Sequence, residues 1–72
     1  MLVVTARFIV KPGKKQELLA AAKKLVDATR QETGCTSYSL LEDPYRENGF
    51  MFFEEWVDKS ALEHHFTTSH IA

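Results

Sequence analysis

Between Leu2 and Val10 the chain alternates with period two, and both faces of the pattern are apolar. Leu2, Val4, Ala6, Phe8 and Val10 fall on one side, and Val3, Thr5, Arg7 and Ile9 on the other. β-Branched and aromatic residues dominate, so the segment reads as a strand. A strand that is apolar on both faces has to be covered on both. Helices of the same domain are expected on one side and a partner sheet on the other, where Arg7 must find an acidic or carbonyl partner.

The turn dipeptide Pro12-Gly13 stops this strand and opens a helix. From Lys14 to about Thr33 helix formers dominate, with Leu18, Ala22, Leu25, Val26 and Thr29 at helical spacing and Lys15, Lys23, Lys24, Asp27 and Arg30 around them. Gly34 stands where a left-handed cap is wanted. Cys35 to Asp43 then reads as a second strand with Tyr38 and Leu40 on one face, and residues 43 to 49 as a polar turn. The third strand alternates Phe50, Phe52, Glu54 and Trp56 against Met51, Phe53, Glu55 and Val57, before Asp58 caps a second helix running to about Thr67. Strand, helix, strand, strand, helix is the ferredoxin-like α+β pattern without its last strand. The missing strand would pair beside the first, so its absence leaves an edge open. The expectation is a single domain over residues 1–72 that has been cut at its C-terminus, or whose edge a second chain covers.

A domain of 72 residues buries only roughly 60% of its unfolded surface and is marginally stable alone. Cys35 is the only cysteine, so no disulfide within the chain helps; a lone thiol fits a reducing cytoplasm, and dimerisation is the expected support. The apolar start has no basic leader or cleavage site, and Arg7 interrupts it well short of membrane-spanning length. Nine basic residues against ten acidic ones give a net charge of −1. Without a basic block, neither a nucleic-acid nor a membrane-surface partner is expected.

The chemically capable side chains gather between Phe50 and His70. His65 follows Leu62 by three residues and precedes Phe66, which sets its ring along the flank of the face that packs on the sheet, whereas His64 points about 100° away toward solvent. A neutral imidazole there can take a proton from a phenol or an acidic carbon, or simply hydrogen-bond at the core edge. Glu54, among Phe52 and Trp56, either orients the histidine or serves as a second base, or it forms a structural ion pair with a group such as Arg7. Glu55 faces the other way. Trp56, Tyr38, Phe52 and Phe53 are pocket walls for a flat aromatic, or core. No metal site is expected, because adjacent histidines on a helix diverge, His70 lies past the helix end, and no HxxxH or CxxC spacing occurs. Cys35 follows a helix C-terminus, which disfavours the thiolate, and reads as structural.

Ala6, Pro12-Gly13, Gly34 to Tyr38, Glu54, Trp56, Leu62, His65 and His70 together resemble the antibiotic biosynthesis monooxygenase domain, which includes small quinol monooxygenases. Glu54-x-Trp56 is followed nine residues on by His65 and five later by His70. The resemblance implies a ferredoxin-like dimer whose sheets pack together, with a pocket between sheet and helices. Some members oxygenate phenols, anthrones or quinols with O2 and no metal or flavin, since a deprotonated substrate can itself donate the first electron. On that pattern His65 is the catalytic base, Glu54 or His70 orients it, Trp56, Phe52 and Tyr38 enclose the ring, and Arg7 is a further substrate contact. No cofactor is expected. Relatives that degrade haem carry Asn in the first strand and Trp in place of His65, so haem degradation is not expected. Family members also continue past His70 into a last strand. Two other readings stay open: an isomerase of small phosphorylated carbonyl compounds, with Arg7, Lys11 and Arg46 as its candidate phosphate contacts, and a dimeric ligand-binding module without turnover.

Overall fold

The computed structural model describes residues 1–71. Its elements are β1 (Leu2–Ile9), α1 (Lys15–Arg30), β2 (Cys35–Glu42), β3 (Gly49–Trp56) and α2 (Lys59–His65). This is an α+β, ferredoxin-like arrangement: a three-stranded antiparallel sheet in the order β1-β3-β2, with two helices. The β1 edge is the one that the sequence pattern leaves open.

The register explains which residues meet the helices. Val4 pairs with Glu54, Ala6 with Phe52 and Phe8 with Phe50 across β1 and β3, while Tyr38 pairs with Glu54 and Leu40 with Phe52 across β2 and β3. Thr36 is the extra residue of a bulge between Cys35 and Ser37. Because side chains alternate along a strand, that single insertion turns Tyr38 and Leu40 onto the face carrying Phe52, Glu54 and Trp56. Both helices lie on this face, α1 over β2 and α2 beside the end of β3. Val10, Ala22, Tyr38, Phe50 and Trp56 form its buried apolar core. On the opposite face Val3, Ile9 and Leu41 are 54%, 56% and 46% exposed, so the described residues leave that side of the sheet uncovered.

Both helices are shorter than the periodicity suggests. α1 ends at Arg30, and the following N–H groups reach back only three residues, Gln31 to the Ala28 carbonyl and Glu32 to that of Thr29. This tight turn carries Glu32 off the helix surface and under α2. α2 begins as expected, with the Asp58 carboxylate accepting from Ala61 N–H at 2.8 Å. It stops at His65 because two threonines take its last carbonyls: Thr67 and Thr68 hydroxyls donate to the carbonyls of His64 and His65, each at 2.7 Å.

Gly34 links the two helices. Its φ is +90°, and a Cβ there would stand 2.6 Å from the Ala61 Cβ and 3.0 Å from Val57 Cγ2. Its carbonyl also accepts from Val57 N–H at 2.9 Å. Glycine thus satisfies a left-handed backbone and a close approach of α2 at one position.

Candidate active site

The bulge in β2, the end of β3 and the buried side of α2 bring Tyr38, Trp56 and His65 together, at 2%, 0% and 1% exposure. The imidazole of His65 lies with its ring centre 4.8 Å from that of Trp56 and 5.6 Å from that of Tyr38. His65 therefore occupies the centre of the packed face rather than its flank. The sequence pattern pairs it with Phe66 as a fellow face residue, but the chain leaves the helix there and Phe66 is 60% exposed. His64 is exposed, as its helical phase requires.

The carboxylate that holds His65 is Glu32, which sequence spacing did not single out. His65 Nδ1 and His70 Nε2 each lie 2.7 Å from the same oxygen, Glu32 Oε2. An ionised carboxylate only accepts, so both ring nitrogens donate to it. The Glu32 side chain is 7% exposed, and its other oxygen, Oε1, is buried without a partner. Burial is the largest single influence on this carboxyl and favours its neutral form. The hydrogen bonds and charges of His65 and His70 together outweigh it and hold the group below its ordinary range. With Nδ1–H committed to Glu32, the neutral His65 presents its lone pair at Nε2.

Glu54 is engaged differently from the sequence expectation. Its Oε1 accepts from the indole Nε1–H of Trp56 at 3.1 Å, so it fixes the ring that packs at a tilt against His65, and Glu32 is the carboxylate that orients the imidazole. The phenol of Tyr38 is pushed up to about 12, first by burial and then by the nearby Glu54 charge. Burial, with Glu32 and Glu54 nearby, likewise raises the Cys35 thiol, consistent with a structural cysteine.

His70 joins the cluster because the chain folds back after α2, its turn tied by the Ile71 N–H to the Thr68 carbonyl. Lying past the helix end does not separate it from His65, contrary to the spacing argument against a metal site. Thr68 Oγ1 stands 3.2 Å from His70 Nε2.

An aromatic row leads outward from this centre. Tyr38 and Phe52 have ring centres 5.4 Å apart, Phe52 and Phe8 5.5 Å, and Phe8 and Phe50 5.9 Å. Ala6, directly opposite Phe52, is exposed.

Arg7 does not belong to this group. It sits on the opposite face of the sheet, paired with Met51, and among the described residues no hydrogen bond or ion pair reaches its side chain. With Ile9, Leu41, Arg46 and Met51 it lines an open concavity of about 690 Å³ at the far end of the strands. The buried acid-base groups are not among its lining residues. Arg7 therefore neither pairs with Glu54 nor touches the enclosure of Trp56, Phe52 and Tyr38. Arg7 and Arg46, two of the candidate phosphate contacts, line that concavity, of which His65 is not a part.

Comparison with known proteins bears on family and fold. The profile of the family described as "Antibiotic biosynthesis monooxygenase" matches residues 1–72. The chain is 40% identical over 70 residues to the Bacillus subtilis protein YcnE, whose name assigns it provisionally to the monooxygenases; the match covers 97% of this chain and 74% of that protein. It is 43% identical over 67 residues to an uncharacterized protein of Synechocystis, covering 93% of this chain and 46% of the relative, so it spans about half of that protein's length. A crystal structure described as an antibiotic biosynthesis monooxygenase superposes with a TM-score of 0.92 at 39% identity, over 99% of this chain and 75% of the other. A conserved protein of Methanosarcina mazei superposes with a TM-score of 0.92 at 32% identity, over 96% of this chain and 68% of the other. Sequence and fold thus converge over nearly the whole chain, which belongs to the antibiotic biosynthesis monooxygenase family.

Proposed function

We propose that this domain oxygenates a quinol, phenol or anthrone-like aromatic with O2, using His65 as the base and no metal or flavin. Family membership supports a monooxygenase-like role. The observation that carries the finer reading is the 2.7 Å contact between His65 Nδ1 and Glu32. It sets the tautomer, orients the ring, and leaves Nε2 as the proton acceptor inside an aromatic enclosure.

For an anthrone-type methylene the chemistry closes without another reagent. His65 removes a proton, and the resulting carbanion passes one electron to O2. The substrate radical and superoxide then join through a new C–O bond. The imidazolium returns its proton to the peroxide, and the second C–H proton leaves as the O–O bond breaks. CH2 and O2 become C=O and H2O. Glu32 stabilises the imidazolium when it forms, and Trp56 and Tyr38 exclude water from the radical pair. Glu54, bonded to Trp56 Nε1, and His70, bonded to Glu32, position these groups. A homodimer formed through the uncovered sheet face, with Val3, Ile9 and Leu41 at its centre, completes the reading.

Oxygen uptake with a panel of quinols and anthrones tests it. His65→Ala should lower kcat by about 10²–10⁴. Glu32→Gln, which keeps the shape but loses the charge that stabilises the imidazolium, should also lower kcat, with KM little changed. Turnover of a verified substrate at the wild-type rate by His65→Ala would remove the base assignment.

A further inference from the structure

The arrangement of Glu32, His65 and His70 contains more than a histidine and its orienting acid. One carboxylate oxygen serves two imidazoles, while Glu32 Oε1 is buried with no partner. The three donor atoms, one oxygen and two nitrogens, all lie within 4.8 Å of one another. Buried unsatisfied carboxylate oxygens are rare because leaving one dry and unpaired is costly. A cation gripped by both oxygens of the carboxylate would give Oε1 a partner.

We infer that Glu32, His65 and His70 form a binding site for a late first-row divalent cation, with Zn2+ the best match. Two imidazoles and a carboxylate are borderline ligands that suit Zn2+, Ni2+ and Cu2+. Ca2+ and Mg2+ prefer all-oxygen shells and find none here. The elements also allow the fit. Tetrahedral Zn2+ with bonds of about 2.0–2.1 Å needs ligand atoms roughly 3.3 Å apart. Glu32 Oε2 now lies 2.7 Å from each imidazole nitrogen, so both contacts open by about 0.6 Å on binding, a shift within reach of the Glu32 side chain on the turn after α1 and of His70, 23% exposed on the turn after α2. Thr68 Oγ1 lies 3.2 Å from His70 Nε2, and because its hydroxyl donates to the His65 carbonyl, the oxygen keeps lone pairs to offer a cation. A water or the hydroxyl completes four-coordination.

Coordination requires each histidine to present a lone pair where it now donates a proton. In a neutral His65 ring the proton moves from Nδ1 to Nε2, and in a neutral His70 ring from Nε2 to Nδ1. This has a consequence that rests on the base assignment above: with its proton on Nε2, His65 cannot accept another, so the bound metal inhibits oxygenation.

Isothermal titration with ZnCl2, and the visible absorption of added Co2+, test the site directly. One equivalent of Zn2+ should bind, raise Tm, and give the intense spectrum of four-coordinate Co2+. His70→Ala and Glu32→Gln should each weaken binding at least tenfold, and His64→Ala should leave it unchanged. His70→Ala alters only a half-buried side chain on the last turn, so it decides the matter even if Glu32→Gln folds poorly. No binding, or binding that survives both substitutions and disappears in His64→Ala, overturns the site. Oxygen uptake in the presence of Zn2+ reads the inhibition separately. A failed substrate panel leaves the titration intact, and a failed titration leaves the oxygenase reading intact.

Discussion

Tyr38 shows how a single side chain records its surroundings. Buried among Phe52, Trp56 and His65 and close to Glu54, its phenol is pushed up to about 12. In the unfolded chain it ionises near its ordinary value of about 10. Between those two values the unfolded state has lost the proton and the folded state keeps it, so stability falls as pH rises through this window and levels off above it. The loss attributable to Tyr38 is on the order of 2–3 kcal/mol. Urea unfolding at successive alkaline pH values should show that slope in the wild type. It should be shallower in Tyr38→Phe; an unchanged slope would mean that the phenol ionises as freely folded as unfolded. Glu32 carries the opposite lesson. Its role is invisible in spacing because it belongs to no motif with His65 or His70, from which 33 and 38 residues separate it.

At the level of elements, the connection through Gly34 controls where α2 sits and thus where His65 points. A side chain at this position would combine a left-handed backbone with a contact of 2.6 Å to Ala61 Cβ. Backbone strain and overpacking together give an expected cost for Gly34→Ala of about 2–4 kcal/mol. Chemical denaturation measures it, and a change within error would show that α2 shifts freely. The glycine and the Asp58 cap were legible in the sequence because each acts through its own residue type and nearest neighbours. The helix ends were less so. α1 stops before Thr33 and α2 before Thr67 because later N–H and C=O groups found partners outside the α-helical ladder, a competition that periodicity does not register.

For the whole molecule, the two faces of the sheet have different fates. One is covered by α1 and α2, while the other presents exposed Val3, Ile9 and Leu41. An apolar face of this kind favours self-association. Light scattering at micromolar concentration should give twice the chain mass. Ile9→Glu combined with Leu41→Glu should give one chain mass with the circular dichroism spectrum retained; a wild-type monomer would remove the dimer. What the sequence determined by itself is the element order, the two-faced character of β1, and the Glu54-x-Trp56 and His65 pattern. Alternation, capping and turn chemistry are local, and local rules read directly from residue type. What only the tertiary structure decided is the wiring: Glu32 under His65 and His70, Glu54 on Trp56, and Arg7 on the far face. Those pairings depend on how a bulge, a tight turn and a fold-back superimpose distant segments, and hydrogen bonds between buried groups form by distance in space, which spacing along the chain does not encode.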